Sequence, residues 1–257
     1  MKVIYFILFS ISYNLFYNDI LTCFLYLVSS HPYNKLREWG VDVLCNLVKS
    51  VLAQPASISI ESENEAQSDI NTEQKPSLSM FTSQSHYLEA LYTLSQIKYV
   101  DIRQKQIECC LQLLQSNGEN FTDGWPTIFI IIESACSLQN ETLVRCAFQC
   151  YQFVISDLLP HIPPVYLLDC INTAVTFGSQ LQELNVSLTA VGLIWNVADF
   201  LHSNQTKIQQ SLDDCIKAGN QFVDTITVEL PFTEGLSPLQ RLWISLFKNL
   251  RFDLVFC

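Results

Sequence analysis

Four segments of the chain open an amphipathic run in the same way. An aliphatic residue followed by Arg stands at Leu36-Arg37, Ile102-Arg103 and Val144-Arg145, and the fourth opening, Val186-Ser187, replaces the Arg. The last three openings lie 42 residues apart. The first interval is 66 residues. It contains a polar insert of roughly 25 residues, whose removal returns a period near 40.

A helical period of about 40–47 residues is that of HEAT and armadillo repeats, whose helix pairs stack into a solenoid. The expected fold is therefore all-α, a HEAT/armadillo-type α-solenoid of stacked helix pairs with one disordered acidic loop. Such a chain presents surfaces and rarely does chemistry, so the first reading is a scaffold. The repeated Arg has a physical task in it. A long cation at the same point of successive helices can reach a carboxylate or helix-end carbonyls of the adjoining repeat while its alkyl stem covers apolar surface. Arg37, Arg103 and Arg145 would form such a ladder, a structural role rather than a ligand site.

Composition agrees with a covered, helical chain. Of 257 residues, 49% are hydrophobic and 15% charged, and 7 Gly with 9 Pro are too few for an all-β protein of many tight turns. The net charge of −11 excludes the basic face that phosphate-backbone binding needs and gives no attraction to anionic membranes, so nucleic acid is not an expected partner. The 10 cysteines do not read as a disulfide framework. Cys109, Cys110, Cys146, Cys150 and Cys170 sit inside helix-patterned runs, where a free thiol is a small hydrophobe, and point to a reducing, cytosolic setting. Asn-X-Ser/Thr sequons at Asn120, Asn140, Asn185 and Asn204 would support a secreted alternative, but Asn140 and Asn185 fall in or at the start of expected helices.

Along the chain, residues 1–30 form an apolar N-terminal segment with three competing readings: a core helix, a signal anchor or a gene-model artefact. The expectation is a buried solenoid helix for Ile20–Ser29 and a misassigned start before it. Residues 31–54 hold the first solenoid helix, about Tyr33 to Ala53, with Val41, Leu44, Cys45, Val48 and Leu52 as its stripe. Residues 55–85 form the acidic insert, and 86–257 continue the solenoid to an end, Phe252–Cys257, that reads as a truncation. Tyr87–Ile97 is a short helix. Asp101 is the expected N-cap of the next, with Ile107, Cys110, Leu111 and Leu114 facing inward and Gly118 just past its end. Gly124-Trp125-Pro126 opens another helix. Asn140 caps one that buries Leu143, Ala147, Cys150, Val154 and Leu158, and Pro164 starts a helix through Val175. Leu184, Leu188, Val191, Trp195 and Ala198 are the expected buried stripe of the next. The pattern weakens after Phe200, and Leu239–Leu250 gives a last amphipathic helix.

No catalytic, cofactor-binding or metal-ligating residues emerge. His31, His86, His161 and His202 are scattered, and no Cys-X-X-Cys pair exists to support a common zinc site. Cys146 and Cys150 are one helical turn apart, too little for a site alone, and Cys109-Cys110 point to different helix sides. Phosphate-cradling glycine loops and Gly-X-Ser-X-Gly are absent. Asp213-Asp214 reads as a solvated turn, and Trp39, Trp125, Trp195 and Trp243 as fillers between repeats. The chain reads as no enzyme and needs no cofactor.

Specific words in the sequence carry a resemblance. The run His31-Pro32 through Leu36-Arg37-Glu38-Trp39-Gly40 resembles the Mon-two family, as do Leu114-Gln115-Ser116 and Gly124-Trp125-Pro126. The blocks Thr142 to Cys150 and Glu183 to Leu188, the latter continuing through Gly192-Leu193-Ile194-Trp195-Asn196, are its most specific parts. These are large cytosolic proteins related to the big Arf guanine-nucleotide exchange factors but without their catalytic exchange domain. The resemblance covers about His31 to Asn249. It implies a scaffold for vesicle-mediated transport, peripheral on trans-Golgi network and early endosome membranes and acting in endosome-to-Golgi recycling. The implied partners are a Dop-one-like protein, a phospholipid flippase and an Arf-like GTPase. A regulatory solenoid of a large Arf exchange factor is the alternative it leaves open.

Overall fold

A computed structural model describes residues 31–53, 83–138, 140–217 and 235–253, the last five of these by backbone alone. Among them are nine α-helices and no strand: α1 (Asn34–Leu52), α2 (Gln84–Thr93), α3 (Val100–Asn117), α4 (Trp125–Glu133), α5 (Glu141–Phe153), α6 (Leu167–Ser179), α7 (Leu184–Ser203), α8 (Gln205–Lys217) and α9 (Pro238–Asp253). The expected helix at Ile20–Ser29 lies outside the described residues, as does most of the acidic insert.

The chain alternates between two layers. α1, α3, α5 and α7 stack in sequence as one layer, and α2, α4, α6 and α9 stack as the other. α8 packs on α9 and on the short turn Pro164–Tyr166. This is the all-α solenoid expected from the spacing, and all four aliphatic openings begin helices of the same layer.

Local chemistry accounts for some of the helix starts. The Asn140 side chain accepts from the Leu143 N–H at 2.9 Å and starts α5 as a side-chain cap does. Pro126 sits in the first turn of α4, where it has no helical hydrogen bond to lose. Asp101 departs from expectation. α3 begins two residues earlier than such a cap would set, with Tyr99 at its N-cap, and Asp101 stands in the first turn without capping. Its carboxylate is taken instead by Arg37 at 3.1 Å. Gly118 follows α3 as expected, yet its φ of −57° is not left-handed. What it provides is room, because a Cβ there would fall inside contact distance of the buried Leu158 methyls.

Leu158 ends a π-helical turn, Val154–Leu158, that continues α5. Such a widened turn rotates the residues after it, and here Val154, Ile155, Leu158 and Leu159 are all buried while Ser156 and Asp157 face solvent. Across the layers, the fully buried Tyr151 donates its hydroxyl to the Cys170 carbonyl at 2.8 Å and stacks on Phe177. α4 contributes Trp125, which is buried beside Phe121 and Phe129.

The expected stripe of α7 needs correction. Leu184, Leu188 and Trp195 are 69%, 55% and 56% exposed, and of the named set only Ala198 is buried. Packing against α6 selects the other face: Val186, Ala190, Leu193, Ile194, Val197 and Leu201. α7 is apolar on both sides, so periodicity alone offers two stripes and cannot choose. Two-sided apolarity also makes it the one described helix long and apolar enough to cross a membrane. Here one of its two apolar sides packs into the core. Asp213-Asp214, expected in a turn, instead lies within α8, where Gln209 donates to Asp213 at 2.7 Å.

Replacing Gly118 by Val should destabilise the chain by about 1–3 kcal/mol through overpacking. Denaturant melts of Gly118→Val, Leu158→Ala and the double variant would check this. The double variant should lose less than the two single losses added together, because Leu158→Ala opens the space that the introduced valine lacks; simple additivity would refute the contact.

Candidate interaction surfaces

The polar groups inside this fold are concerned with holding helices, beginning with the arginine ladder. Arg37 is 7% exposed. It donates to the carbonyls of His31 and Pro32 at 3.0 and 3.1 Å, pairs with Asp101 of α3 and lies 3.8 Å over the Tyr99 ring. Arg103 is 1% exposed and meets no carboxylate among the described residues. Its guanidinium donates to the Ser95 carbonyl and, at 2.5 Å, to the Ser134 hydroxyl. It thus ties α3 to the ends of both α2 and α4, and burial lowers its pKa from the ordinary arginine value. Gln106, one turn on, donates to Leu91 O and to Ser95 Oγ at 2.5 and 2.8 Å. Arg145 is exposed, donates to Glu183 at 2.6 Å just before α7, and is raised in pKa by that bond. At the fourth opening Ser187 turns inward and donates to Gly178 O.

Cys45, Cys109, Cys110 and Cys150 line the same layer. Cys109 faces Cys45 of α1, and the hydrogen bond between them with burial raises the Cys45 thiol far above its usual range. Cys110 faces the other way, towards Cys150 of α5, and burial raises it strongly. Burial also pushes Cys150, Cys136 and Cys170 up to about 12, so these thiols stay protonated and unreactive at neutral pH. Among the described residues no three His, Cys, Asp or Glu side chains gather as metal ligands would.

One half-buried carboxyl stands out. Thr173 Oγ1, fully buried on α6, lies 2.6 Å from Glu133 Oε1 and 2.9 Å from Asp169 O. Its single hydrogen can serve only one of them. Glu133 and Asp169 O therefore compete for it, which leaves the carboxylate weakly compensated for its burial. Burial raises the Glu133 pKa, against a smaller lowering by Thr173.

Surface features are of two kinds. A groove of about 460 Å³ between α2 and α4 is lined by Ser83, His86, Glu89, Tyr92 and Ile130. Another, of about 540 Å³ between α8 and α9, is lined by Gln209, Asp213, Asp214 and Lys217. Both are open; the first has a mostly apolar lining and the second a mixed one. Large apolar side chains are also exposed on α7, with Leu184, Leu188 and Trp195, on α9, with Ile244 and Phe247, and on α1, with Trp39. Of the four tryptophans expected as fillers, Trp125 is buried and Trp243 partly so, while Trp39 and Trp195 are about half exposed.

Two measurements test this account. Arg103→Ala should cost about 2–4 kcal/mol, since it orphans buried acceptors and leaves a void, whereas Arg145→Ala should leave Tm unchanged; equal losses would refute the burial ordering. A carboxyl whose pKa is raised on folding stabilises the fold below its unfolded pKa, and that contribution is lost as pH rises through the folded pKa. Glu133→Gln, neutral throughout, should therefore raise Tm at neutral pH, and its advantage should vanish below about pH 4. An advantage independent of pH would show that Glu133 is not protonated preferentially in the fold.

Residues 72–153 match a family model described as Mon2/Sec7/BIG1-like, HDS, and residues 156–255 match the C-terminal region of Mon2 protein. Protein MON2 homolog of Drosophila melanogaster is 38% identical over 231 residues, which are 90% of this chain and 12% of that protein. The Homo sapiens MON2 homolog is 33% identical over 232 residues, again 90% of this chain and 12% of its own length. Brefeldin A-inhibited guanine nucleotide-exchange protein 3 of Arabidopsis thaliana is 30% identical over 98 residues, 37% of this chain and 6% of that protein. No solved structure matches. The chain thus spans about an eighth of the length of the Mon2 homologues it matches. With consecutive family models along most of its length and Mon2 homologues aligned over nine-tenths of it, this chain belongs to the Mon2 family.

Proposed function

We propose that this chain is a stretch of a non-enzymatic scaffold for vesicle-mediated protein transport at Golgi and endosome membranes. The observation that carries the reading is the alignment with Mon2 homologues over nine-tenths of the chain. The site chemistry is in keeping with it. The buried arginines, thiols and Glu133 are spent on packing, and the exposed apolar residues of α7 offer contact area. In this reading the protein is cytoplasmic and peripheral on trans-Golgi network and early endosome membranes. It supports endosome-to-Golgi recycling by holding a Dop-one-like protein and a phospholipid flippase, through a HEAT/armadillo-type solenoid.

A second reading has its own observation, the match of residues 72–153 to the Mon2/Sec7/BIG1-like model and of stretches of 98 and 186 residues to brefeldin A-inhibited guanine nucleotide-exchange proteins. There the chain would be a regulatory solenoid that contacts an Arf-like GTPase. Affinity capture of the tagged chain from its own cells, with nucleotide-exchange assays on the captured material, separates the two. Recovery of a Dop-one-like protein or a flippase with no exchange activity is the expected result. Recovery of an Arf GTPase or an active exchange factor would replace the scaffold reading by the regulatory one.

A further inference from the structure

The first helix of the stack is less covered than the helices that follow it in the same layer. Counted from the aliphatic residue that opens each helix, positions zero, seven and eleven are buried in α3 (Ile102, Cys109, Leu113) and in α7 (Val186, Leu193, Val197), as they are in α5. In α1 the same positions are Leu36, Val43 and Leu47, and all three are only partly buried, as is Val51 one turn on. The later helices turn this face to the helix that precedes them. Gln106, at position four of α3, donates to Leu91 O of α2, and the same side of α7 packs on α6. Before α1 the described residues are His31, Pro32 and Tyr33 alone.

From this register we propose that the face of α1 formed by Leu36, Val43, Leu47 and Val51 is covered by residues 20–29 of the same chain, docked as the member of the stack before α1. The inference does not rest on the scaffold reading. Of the three readings of residues 1–30, it selects the core segment for residues 20–29. Three observations fix the occupant. The first is distance along the chain. Helical structure ends at Gln96, Ser137 and Ser179, and α3, α5 and α7 begin at Val100, Glu141 and Leu184, so three or four residues join each to what precedes it. The same connection before Asn34 ends the preceding element at residue 29 or 30. Connections this short join antiparallel neighbours, and the tether favours this segment over any separate molecule at the face. The second is the hold of Arg37. It takes the carbonyls of His31 and Pro32, much as Arg103 takes the carbonyl of Ser95 in the helical turn before α3. What precedes His31 therefore starts from a fixed point at the Leu36 end of the face. The third is chemistry. Residues 20–29 are uncharged, and apolar apart from Thr22 and Ser29, so docking takes two apolar surfaces out of water together. They equal in length the 10 residues of α2, the corresponding helix one step along. Asn18-Asp19 part them from the apolar residues before, leaving a run shorter than the roughly 20 that cross a bilayer.

The test places a photo-crosslinking phenylalanine derivative at Leu47 of the full chain in its own cells, with the same group at Trp195 of α7 as control, and sequences the cross-linked peptides. The expected product has the mass of a single chain and joins position 47 to residues 20–29, while position 195 gives no such link. Phe24→Asp with Leu25→Asp, and separately Val43→Asp, should each lower its yield about tenfold by placing carboxylate in an apolar contact. Asn46→Asp, exposed on the solvent side of α1, should leave it unchanged. The link is read first in the chain without these carboxylates, so loss of fold in a variant cannot hide it. Links from position 47 to a second copy, to another protein or to lipid, or no link at all, would overturn the proposal. A link that the carboxylate variants leave untouched would do the same. Resistance of the chain to alkaline carbonate extraction from membranes would restore the anchor reading in its place.

Discussion

A cation taken out of water fixes how the helices sit against one another. Arg103 is fully buried where α3 meets the ends of α2 and α4, and hydrogen bonds from its two terminal nitrogens to a serine carbonyl and a serine hydroxyl replace part of its hydration, while its buried Nε meets no acceptor among the described residues. A buried guanidinium is costly unless its donors are satisfied, so the helices around it must keep their relative positions to within hydrogen-bond tolerance. That requirement locks the two layers at the centre of the described solenoid. Apolar packing supplies the bulk of the stabilisation, but it is tolerant of sliding in a way that a forked donor is not.

On either side the same register position does a milder version of the task. Arg37 spans from the start of α1 to the first turn of α3, and Arg145 from α5 to the residue before α7. The rungs differ in burial although they look alike in sequence, and so they differ in energetic weight. A half-solvated pair such as Arg145–Glu183 orients a junction without contributing much to stability. Ser187 ends the series by satisfying a carbonyl within its own helix pair. Because α7 carries no rung, its outer face is free of the ion pairs that commit the inner helices to one neighbour.

Much of this is legible in the residues. The 42-residue spacing places the layer of α3, α5 and α7, and the Asn140 cap, the Pro126 start and the stripe of α1 are all readable from local chemistry. The Arg ladder is legible as a structural device, though not the partners of each rung. Ser95 and Ser134 carry no signal that marks them as receivers of a guanidinium. Asp101 misleads because a carboxylate at a helix start has two physical uses, capping and charge pairing, and the choice lies in a helix 64 residues earlier. The exposed face of α7 misleads more instructively. Its largest apolar side chains obey a helical period as well as the buried ones do, and size favours the wrong set.

Periodic and local features are written along the chain: helices of a certain length, the stacking order of their openings, thiols placed among hydrophobes, and membership of the Mon2 family. They follow from side-chain spacing in one chain, which burial by any neighbour would respect. Which of two apolar faces is covered, which arginine is dry and where Glu133 meets a hydroxyl already engaged elsewhere were settled only in three dimensions. Those outcomes depend on the neighbours that folding brings from distant parts of the chain. A helix with two competent faces cannot choose between them until one is occupied.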